Sequence, residues 1–174
     1  MNKKLSNERI YLVGFMGAGK TTFGKRLAGK LGYAFFDIDK RFEEKYKTTV
    51  DLFFKKYGEE VFRELEYELL QATFDMEKTV ISTGGGTPCF FDSMQLINKN
   101  GTSIYLQMSP KALYSRLINA KKLRPLVAKK TDDDLLKFIE EKLAEREKFY
   151  KQAHYIVSGL FPDVEFLSGV LKNS

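Results

Sequence analysis

The segment from Gly14 to Thr22 constrains the fold of this chain more than any other. It reads GFMGAGKTT, fits the pattern G-x-x-x-x-G-K-[ST], and directly follows the apolar run Ile10–Val13. Glycines let successive backbone N–H groups turn toward an anion, and the helix that follows adds its positive N-terminal end. We therefore expect a phosphate loop that binds ATP or GTP, with Lys20 on the β- and γ-phosphates and the Thr21 hydroxyl on Mg²⁺. The residues assigned to the nucleotide here are Gly17, Ala18, Gly19, Lys20, Thr21 and Thr22.

Composition bounds the class of protein. The 174 residues, 43% hydrophobic and 30% charged, predict one soluble globular domain spanning residues 1–174. No apolar run is long enough for a membrane span. The single cysteine, Cys89, excludes an internal disulfide and suits a reducing compartment, so we expect a cytoplasmic protein. One histidine and one cysteine also make a zinc centre unexpected.

The net charge of +6 is compatible with a protein that binds nucleic acid. The lysines are scattered and mixed with acids, as in Phe42–Lys47, and the aromatic residues follow apolar periodicities. This distribution argues against nucleic acid, and a basic balance suits an anionic small molecule such as ATP equally well.

Strand and helix patterns alternate along the chain, which predicts an α/β fold with a parallel sheet covered on both faces. The predicted strands are Arg9–Val13, Ala34–Ile38, Thr79–Thr83, Ser103–Gln107 and Tyr155–Val157. The first predicted helix runs from the phosphate loop to Leu31, and the others are Lys40–Tyr46, Val50–Tyr57, Glu59–Phe74, Asp92–Asn98, Pro110–Asn119, Asp132–Lys151 and Asp163–Leu171. Ser109 is the expected N-cap before Pro110.

One predicted strand runs from apolar residues into acids, at Phe36-Asp37-Ile38-Asp39. Phosphate-loop enzymes usually hold the metal's water shell with such an acid. Residues two apart on a strand point to the same side, so Asp37 and Asp39 are expected to project together near the strand's carboxyl end. Asp37 would serve Mg²⁺, and Asp39 would orient or deprotonate an acceptor hydroxyl. The alternative is that Asp39 only caps the next helix.

Two features suit a small anionic acceptor. Arg63 and Glu66 lie three apart on a helix, so Glu66 can hold the guanidinium for a carboxylate contact. The alternative is a solvated surface ion pair. Gly84-Gly85-Gly86 follows a strand and permits close backbone approach to a ligand. Arg146 lies on a charge-rich helix, and periodicity alone does not select it.

A charged stretch, Ala120–Thr131, is the candidate lid, within a segment of about residues 116–131. A cationic loop over the phosphates would neutralise charge as the phosphoryl group leaves. Arg124 is the expected contact because a planar guanidinium suits phosphoryl oxygens. The alternative is a solvated basic loop.

Taken together, these motifs resemble those of the shikimate kinase family, from Tyr11 to about Val157. The phosphate loop, the D-x-D at Asp37 and Asp39, and F-R-x-x-E at Phe62–Glu66 come first along the chain. The matching motifs that follow are Ser82-Thr83-Gly84-Gly85-Gly86, Arg124-Pro125-Leu126 and Glu145-Arg146-x-x-x-Tyr150.

The resemblance implies a three-layer P-loop NTPase fold with a five-stranded parallel sheet, usually monomeric, in which the lid and a substrate-binding segment of about residues 37–66 close. It implies phosphorylation of the shikimate 3-hydroxyl by Mg-ATP, on the route to chorismate and the aromatic amino acids. The implied shikimate ligands are Asp39, Arg63, Gly85, Gly86 and Arg146. Lys20 and Arg124 would stabilise the transferring phosphoryl group, and Thr21, Asp37 and Ser82 would serve the metal. Arg116 matches an arginine that contacts adenine, whereas Ser158–Pro162 departs from the usual late loop.

Two other functions are compatible with parts of this pattern. A gluconate-type or nucleoside-monophosphate kinase would share the architecture but need different acceptor contacts. A guanine-nucleotide switch would commonly carry N-K-x-D, and Asn98-Lys99-Asn100-Gly101 lacks the acid in fourth place.

Overall fold

A five-stranded, all-parallel sheet organises the chain, in the spatial order β2-β3-β1-β4-β5. The computed structural model describes residues 9–120 and 131–172. The strands are β1 Arg9–Val13, β2 Ala34–Asp37, β3 Thr79–Ser82, β4 Thr102–Gln107 and β5 Tyr155–Ser158. The predicted α/β fold with a five-stranded parallel sheet is therefore confirmed.

The central strand β1 lies between β3 and β4, and its residues Ile10–Val13 are fully buried. Its apolar sequence suits this position because a central strand of a parallel sheet has helices on both faces. After β1 the chain forms β2 and β3 on one side of it and then crosses to form β4 and β5 on the other side, so the strand order reverses at β1. Ligands of open α/β sheets bind at the carboxyl ends of strands at such a reversal. The phosphate loop begins at this point.

Helices flank the sheet and complete the three layers. They are α1 Lys20–Leu31, α2 Ile38–Tyr46, α3 Val50–Gln71, α4 Ser93–Asn100, α5 Pro110–Ile118, α6 Asp132–Tyr150 and α7 Val164–Lys172. A short 3₁₀ helix, Thr87–Cys89, follows β3 and was not predicted. Helix α1 packs against β3 and α7, and α5 packs against α6. None of the helices within the described ranges combines the length and apolar character needed to cross a bilayer.

Most predicted boundaries are correct to within a few residues, and their local causes are visible. Gly32 ends α1 with φ of 72°, and the Ser109 hydroxyl accepts a hydrogen bond from Ala112 N at the start of α5. The predicted break between Val50–Tyr57 and Glu59–Phe74 is present as a kink within α3. There Gly58 has φ of 85° and ψ of 172°, which is not helical.

An aromatic cluster joins α2 to α3. The ring of Phe42 lies 5.0 Å from that of Phe53 and 4.9 Å from that of Phe62. All three rings are buried, and such pairs stabilise a core beyond the area that they bury. This cluster fixes the part of α3 that carries Arg63.

Candidate active site

The phosphate loop curls over the carboxyl end of β1. Gly14, Gly17 and Gly19 all have positive φ, which turns the backbone tightly before α1 begins at Lys20. The first turn of α1 thus faces the loop with N–H groups that have no partner within the helix. This is the arrangement in which a helix N-terminus and a nest of amides bind phosphate.

Lys20 folds back across this loop. Its Nζ donates to Gly14 O at 2.7 Å and to Phe15 O at 3.0 Å, and the residue is only 8% exposed. The ammonium group is therefore held at the centre of the loop by backbone carbonyls. A phosphate entering the loop meets this charge directly.

Asp37 lies beside the phosphate loop, where the sequence placed it. Thr21 Oγ1 donates to Asp37 Oδ2 at 2.8 Å, so the two predicted metal residues are in contact. Ser82 ends β3 and pairs in register with Asp37 of β2, which places it in the same region. Hydroxyl and carboxylate oxygens are ligands that Mg²⁺ accepts while it keeps several waters. These three residues fit a hydrated Mg²⁺ ion.

The prediction that Asp37 and Asp39 extend from one strand is wrong. Strand β2 ends at Asp37, and Asp39 lies in the first turn of α2. The suggestion that Asp39 caps this helix is also wrong, because Asp37 is the N-cap and its Oδ1 accepts from Lys40 N at 3.2 Å. Both acids nevertheless line the same cleft.

This cleft has a volume of about 420 Å³ and lies between the phosphate loop, β2, β3 and the end of α5. It contains most of the residues assigned to nucleotide and metal. Its walls are Met16, Gly17, Gly19, Lys20, Thr21, Thr22, Asp37, Asp39, Ser82, Thr83, Arg116, Leu117 and Ala120.

Arg63 is a buried guanidinium. It is 8% exposed, and its Nη1 donates to Glu66 Oε2 at 2.7 Å. Its Nε and Nη2 each lie 3.2 Å from Glu59 Oε1, and its guanidinium carbon lies 4.2 Å from the centre of the Phe90 ring. The predicted hold of Glu66 on Arg63 is confirmed, and the alternative of a solvated surface pair is wrong.

Glu66 is itself buried, with 3% exposure. Burial raises the pKa of its carboxyl, and the neighbouring Arg63 and the hydrogen bond from Thr87 act in the opposite direction. A charge at this depth is stable only with such partners. Arg63 and Glu66 therefore form a buried ion pair in which each charge compensates the other.

The triple glycine lies between two arginines. A Cβ on Gly86 would lie 2.5 Å from Arg63 Nη2, and a Cβ on Gly85 would lie 3.7 Å from Arg146 Nη1. Helices α3 and α6 thus bring the two guanidinium groups to neighbouring glycines. Arg63 can lie this close to the backbone only because Gly86 has no side chain. Tyr150, also on α6, donates its hydroxyl to Gly85 O.

Arg146 also lies 5.7 Å from the centre of the Phe15 ring in the phosphate loop. It therefore contacts the region between the loop and the triple glycine. Helical periodicity did not select this residue, since its place depends on how α6 packs. The late-helix motif was the signal that identified it.

Arg116 connects the phosphate loop to the loop after β5. Its Nη1 donates to Ala18 O at 3.1 Å, and its Nη2 donates to Gly159 O at 2.9 Å. The side chain lies at the edge of the cleft. Arg124, with residues 121–130 of the predicted lid, lies outside the described residues.

A family profile and similar known proteins identify the family of this chain. The profile of the shikimate kinase family matches residues 16–160. A shikimate kinase from Bacteroides fragilis is 51% identical over 148 residues, covering 85% of this chain and 83% of that protein.

Two solved structures are similar over nearly the whole chain. A shikimate kinase from Bacteroides thetaiotaomicron has a TM-score of 0.89 and 43% identity, covering 95% of this chain and 97% of its own. A shikimate kinase from Acinetobacter baumannii, solved in complex with shikimate, has a TM-score of 0.82 and 31% identity, covering 96% and 94%.

Proposed function

The chain belongs to the shikimate kinase family, and on that premise we propose that the cleft and the two arginines beside it form the active site. The reaction is ATP-dependent transfer of a phosphoryl group to the 3-hydroxyl of shikimate, giving shikimate 3-phosphate and ADP. This step belongs to chorismate and aromatic amino acid biosynthesis. The observation that carries the site assignment is the buried Arg63–Glu66 pair against the triple glycine, next to a phosphate loop.

The nucleotide side of the proposed site is the phosphate loop. Backbone amides of Gly17, Ala18 and Gly19 and the first turn of α1, with Lys20, Thr21 and Thr22, bind the phosphates. Arg116 is proposed to bind the adenine end, and its hydrogen bonds to Ala18 and Gly159 support this by fixing it at the edge of the cleft.

The acceptor side lies at the triple glycine. We assign Arg63 and Arg146 to the shikimate carboxylate, because guanidinium groups present paired donors to such a group. Gly85 and Gly86 supply close backbone approach. Asp39 is proposed to orient the acceptor hydroxyl from the cleft wall.

The family implies a divalent metal with ATP, and we propose Mg²⁺ held by Thr21, Asp37 and Ser82. When bound, Mg²⁺ neutralises negative charge on the phosphate oxygens. Lys20 stabilises the charge on the transferring phosphoryl group from the centre of the loop. Arg124 is proposed to add a second positive charge from the lid.

Positioning and charge neutralisation do most of the work in such a transfer. The lid (about residues 116–131) and the segment of about residues 37–66 are proposed to close over the two substrates and exclude water. We further propose one kinase domain over residues 1–174, acting as a cytoplasmic monomer.

A coupled assay of ADP release tests this function with three acceptors: shikimate, gluconate and AMP. Turnover with shikimate alone is expected, because the chain belongs to the shikimate kinase family and two arginines at the acceptor site suit the shikimate carboxylate. Turnover with gluconate or AMP and none with shikimate would refute the proposal.

A further inference from the structure

Thr87 lies just beyond the triple glycine and outside every motif that the sequence revealed. It is the first residue of the 3₁₀ helix and is 2% exposed. Its Oγ1 donates to Glu66 Oε1 at 2.6 Å, and its backbone N donates to Gly84 O at 3.2 Å. The residue thus ties the glycine segment to helix α3.

The two oxygens of Glu66 have different donors. Oε2 accepts from Arg63 and Oε1 accepts from Thr87, at 2.7 and 2.6 Å. Two short hydrogen bonds, one to each oxygen, restrict the orientation of the carboxylate. That carboxylate holds the Nη1 edge of the Arg63 guanidinium, while Glu59 accepts from its Nε and Nη2.

Negative charge is concentrated at this point. A Cβ on Gly84 would lie 2.6 Å from Glu66 Oε1, 2.8 Å from Asp39 Oδ1 and 2.9 Å from Thr87 Oγ1, so these oxygens converge over the glycine. Asp39 and burial both favour the protonated form of Glu66, whereas Arg63 and the Thr87 hydroxyl favour its charged form. The hydroxyl is therefore one of two donors that lower the pKa of Glu66 against the effects of burial and Asp39.

We infer that Thr87 is a positioning residue for shikimate: its hydroxyl fixes Glu66, and Glu66 fixes the guanidinium of Arg63 that binds the carboxylate. The inference rests on the proposed function, because it takes Arg63 as a substrate ligand. Phe90, which directly follows the 3₁₀ helix, lies under the same guanidinium with its ring centre 4.2 Å away and supports it as well.

The test compares Thr87→Val, which removes the hydroxyl, with Thr87→Ser, which keeps it. Thr79→Val is the matched control, since Thr79 is also buried and its hydroxyl donates to Glu77 O, away from the site. The KM for shikimate should rise about tenfold in Thr87→Val, because a hydrogen bond to a buried carboxylate is lost. The KM for ATP should stay unchanged, and Thr87→Ser and Thr79→Val should keep the KM of the wild type for shikimate.

A pH profile separates positioning from general structural damage. Removing the hydroxyl removes a contribution that lowers the pKa of Glu66, so the acid limb of kcat/KM for shikimate should move to higher pH in Thr87→Val only. If Thr87→Val does not fold, Thr87→Ala carries the same expectation. An unchanged KM for shikimate and an unmoved acid limb would overturn the inference while the wild type still phosphorylates shikimate. A wild type without shikimate turnover would instead refute the proposed function.

Discussion

Lys20 and Arg63 are both nearly buried cations, and different groups hold them. The ammonium of Lys20 is held by the carbonyls of Gly14 and Phe15, which are dipoles. The guanidinium of Arg63 is held by the carboxylates of Glu59 and Glu66. A phosphate can replace these carbonyls as the partner of Lys20 at little electrostatic cost. Arg63 is expected to keep its carboxylate partners, which fix the orientation of its guanidinium. This difference leads to separate expectations for the two residues.

Replacing Lys20 by alanine should lower kcat by about two to three orders of magnitude, as for other groups that stabilise charge in a transition state. Lys25→Ala is the matched control, because Lys25 is an exposed lysine of the same helix. Steady-state kinetics measure the effect, and thermal unfolding of both variants checks the fold. A kcat within twofold of wild type in Lys20→Ala would remove Lys20 from catalysis.

Replacing Arg63 by lysine keeps the charge beside Glu66 but loses the planar, paired donors. The KM for shikimate should rise roughly tenfold, with the KM for ATP nearly unchanged. Arg63→Ala should weaken shikimate binding further and also destabilise the protein, since it leaves Glu66 buried without its cation. Kinetics with each substrate varied in turn provide the measurement. Equal losses for both substrates would mean that Arg63 is structural.

At the scale of elements, helix α3 depends on its kink. Gly58 has φ of 85° and ψ of 172°, a conformation that is nearly restricted to glycine, and the kink separates the stretch carrying Phe53 from the stretch carrying Phe62 and Arg63. Both stretches pack on Phe42 of α2, and the kink at Gly58 sets the angle between them.

Gly58→Ala should therefore lower the free energy of unfolding by about 1–3 kcal/mol. Gly29→Ala is the control, since Gly29 lies within α1, and a Cβ at either glycine meets no atom within 4 Å. That control should stabilise the protein by about 0.5–1 kcal/mol, because alanine is the better helix former. Denaturant unfolding measures both. Opposite signs are expected, and stabilisation by Gly58→Ala would contradict the role of the kink.

Local sequence patterns predicted most of the helices and strands of the fold. The glycine pattern located the phosphate loop, and Ser109 before Pro110 located the start of α5. The boundary at Asp37 was missed because apolar and acidic residues alternate there as they would on a strand. Thr87 and Phe90 were missed for another reason: their roles arise only when the segment after β3 packs on α3, and no periodicity encodes that contact.

At the scale of the whole molecule, the site exists only because separate segments meet at the carboxyl end of the sheet. The phosphate loop, the start of α2, the middle of α3, the triple glycine and α6 each contribute a part. The strand order reverses at β1, and the cleft lies there between the phosphate loop, β2, β3 and the end of α5. We therefore expect the two substrates to meet where the two halves of the sheet join.

His154 links several elements on another part of the molecule. Its Nδ1 accepts from Ser103 N at 3.1 Å, and Ser103 Oγ donates to Asn98 Oδ1 at 2.6 Å. This contact connects the start of β4 to α4 and to the segment between α6 and β5. Burial lowers the pKa of His154 below its usual 6.5.

A lowered pKa in the folded state means that the unfolded chain takes up this proton more readily. The contribution of His154 to stability is therefore complete above pH 6.5 and is lost as the pH falls through the folded pKa. Denaturant unfolding from pH 8 to 5 should show this loss in the wild type and a smaller one in His154→Asn, whose amide oxygen accepts without titrating. Equal pH dependence in the two proteins would exclude His154 as the cause.

We propose that a phosphate loop and a pair of arginines hold the two substrates with their reacting atoms facing each other. A crystal structure with Mg-ADP and shikimate tests it most directly. We expect the diphosphate in the loop of Gly14–Lys20, the shikimate carboxylate against Arg63 and Arg146, and the 3-hydroxyl toward Lys20. A shikimate ring bound away from both arginines, with nucleotide in the loop, would contradict the account.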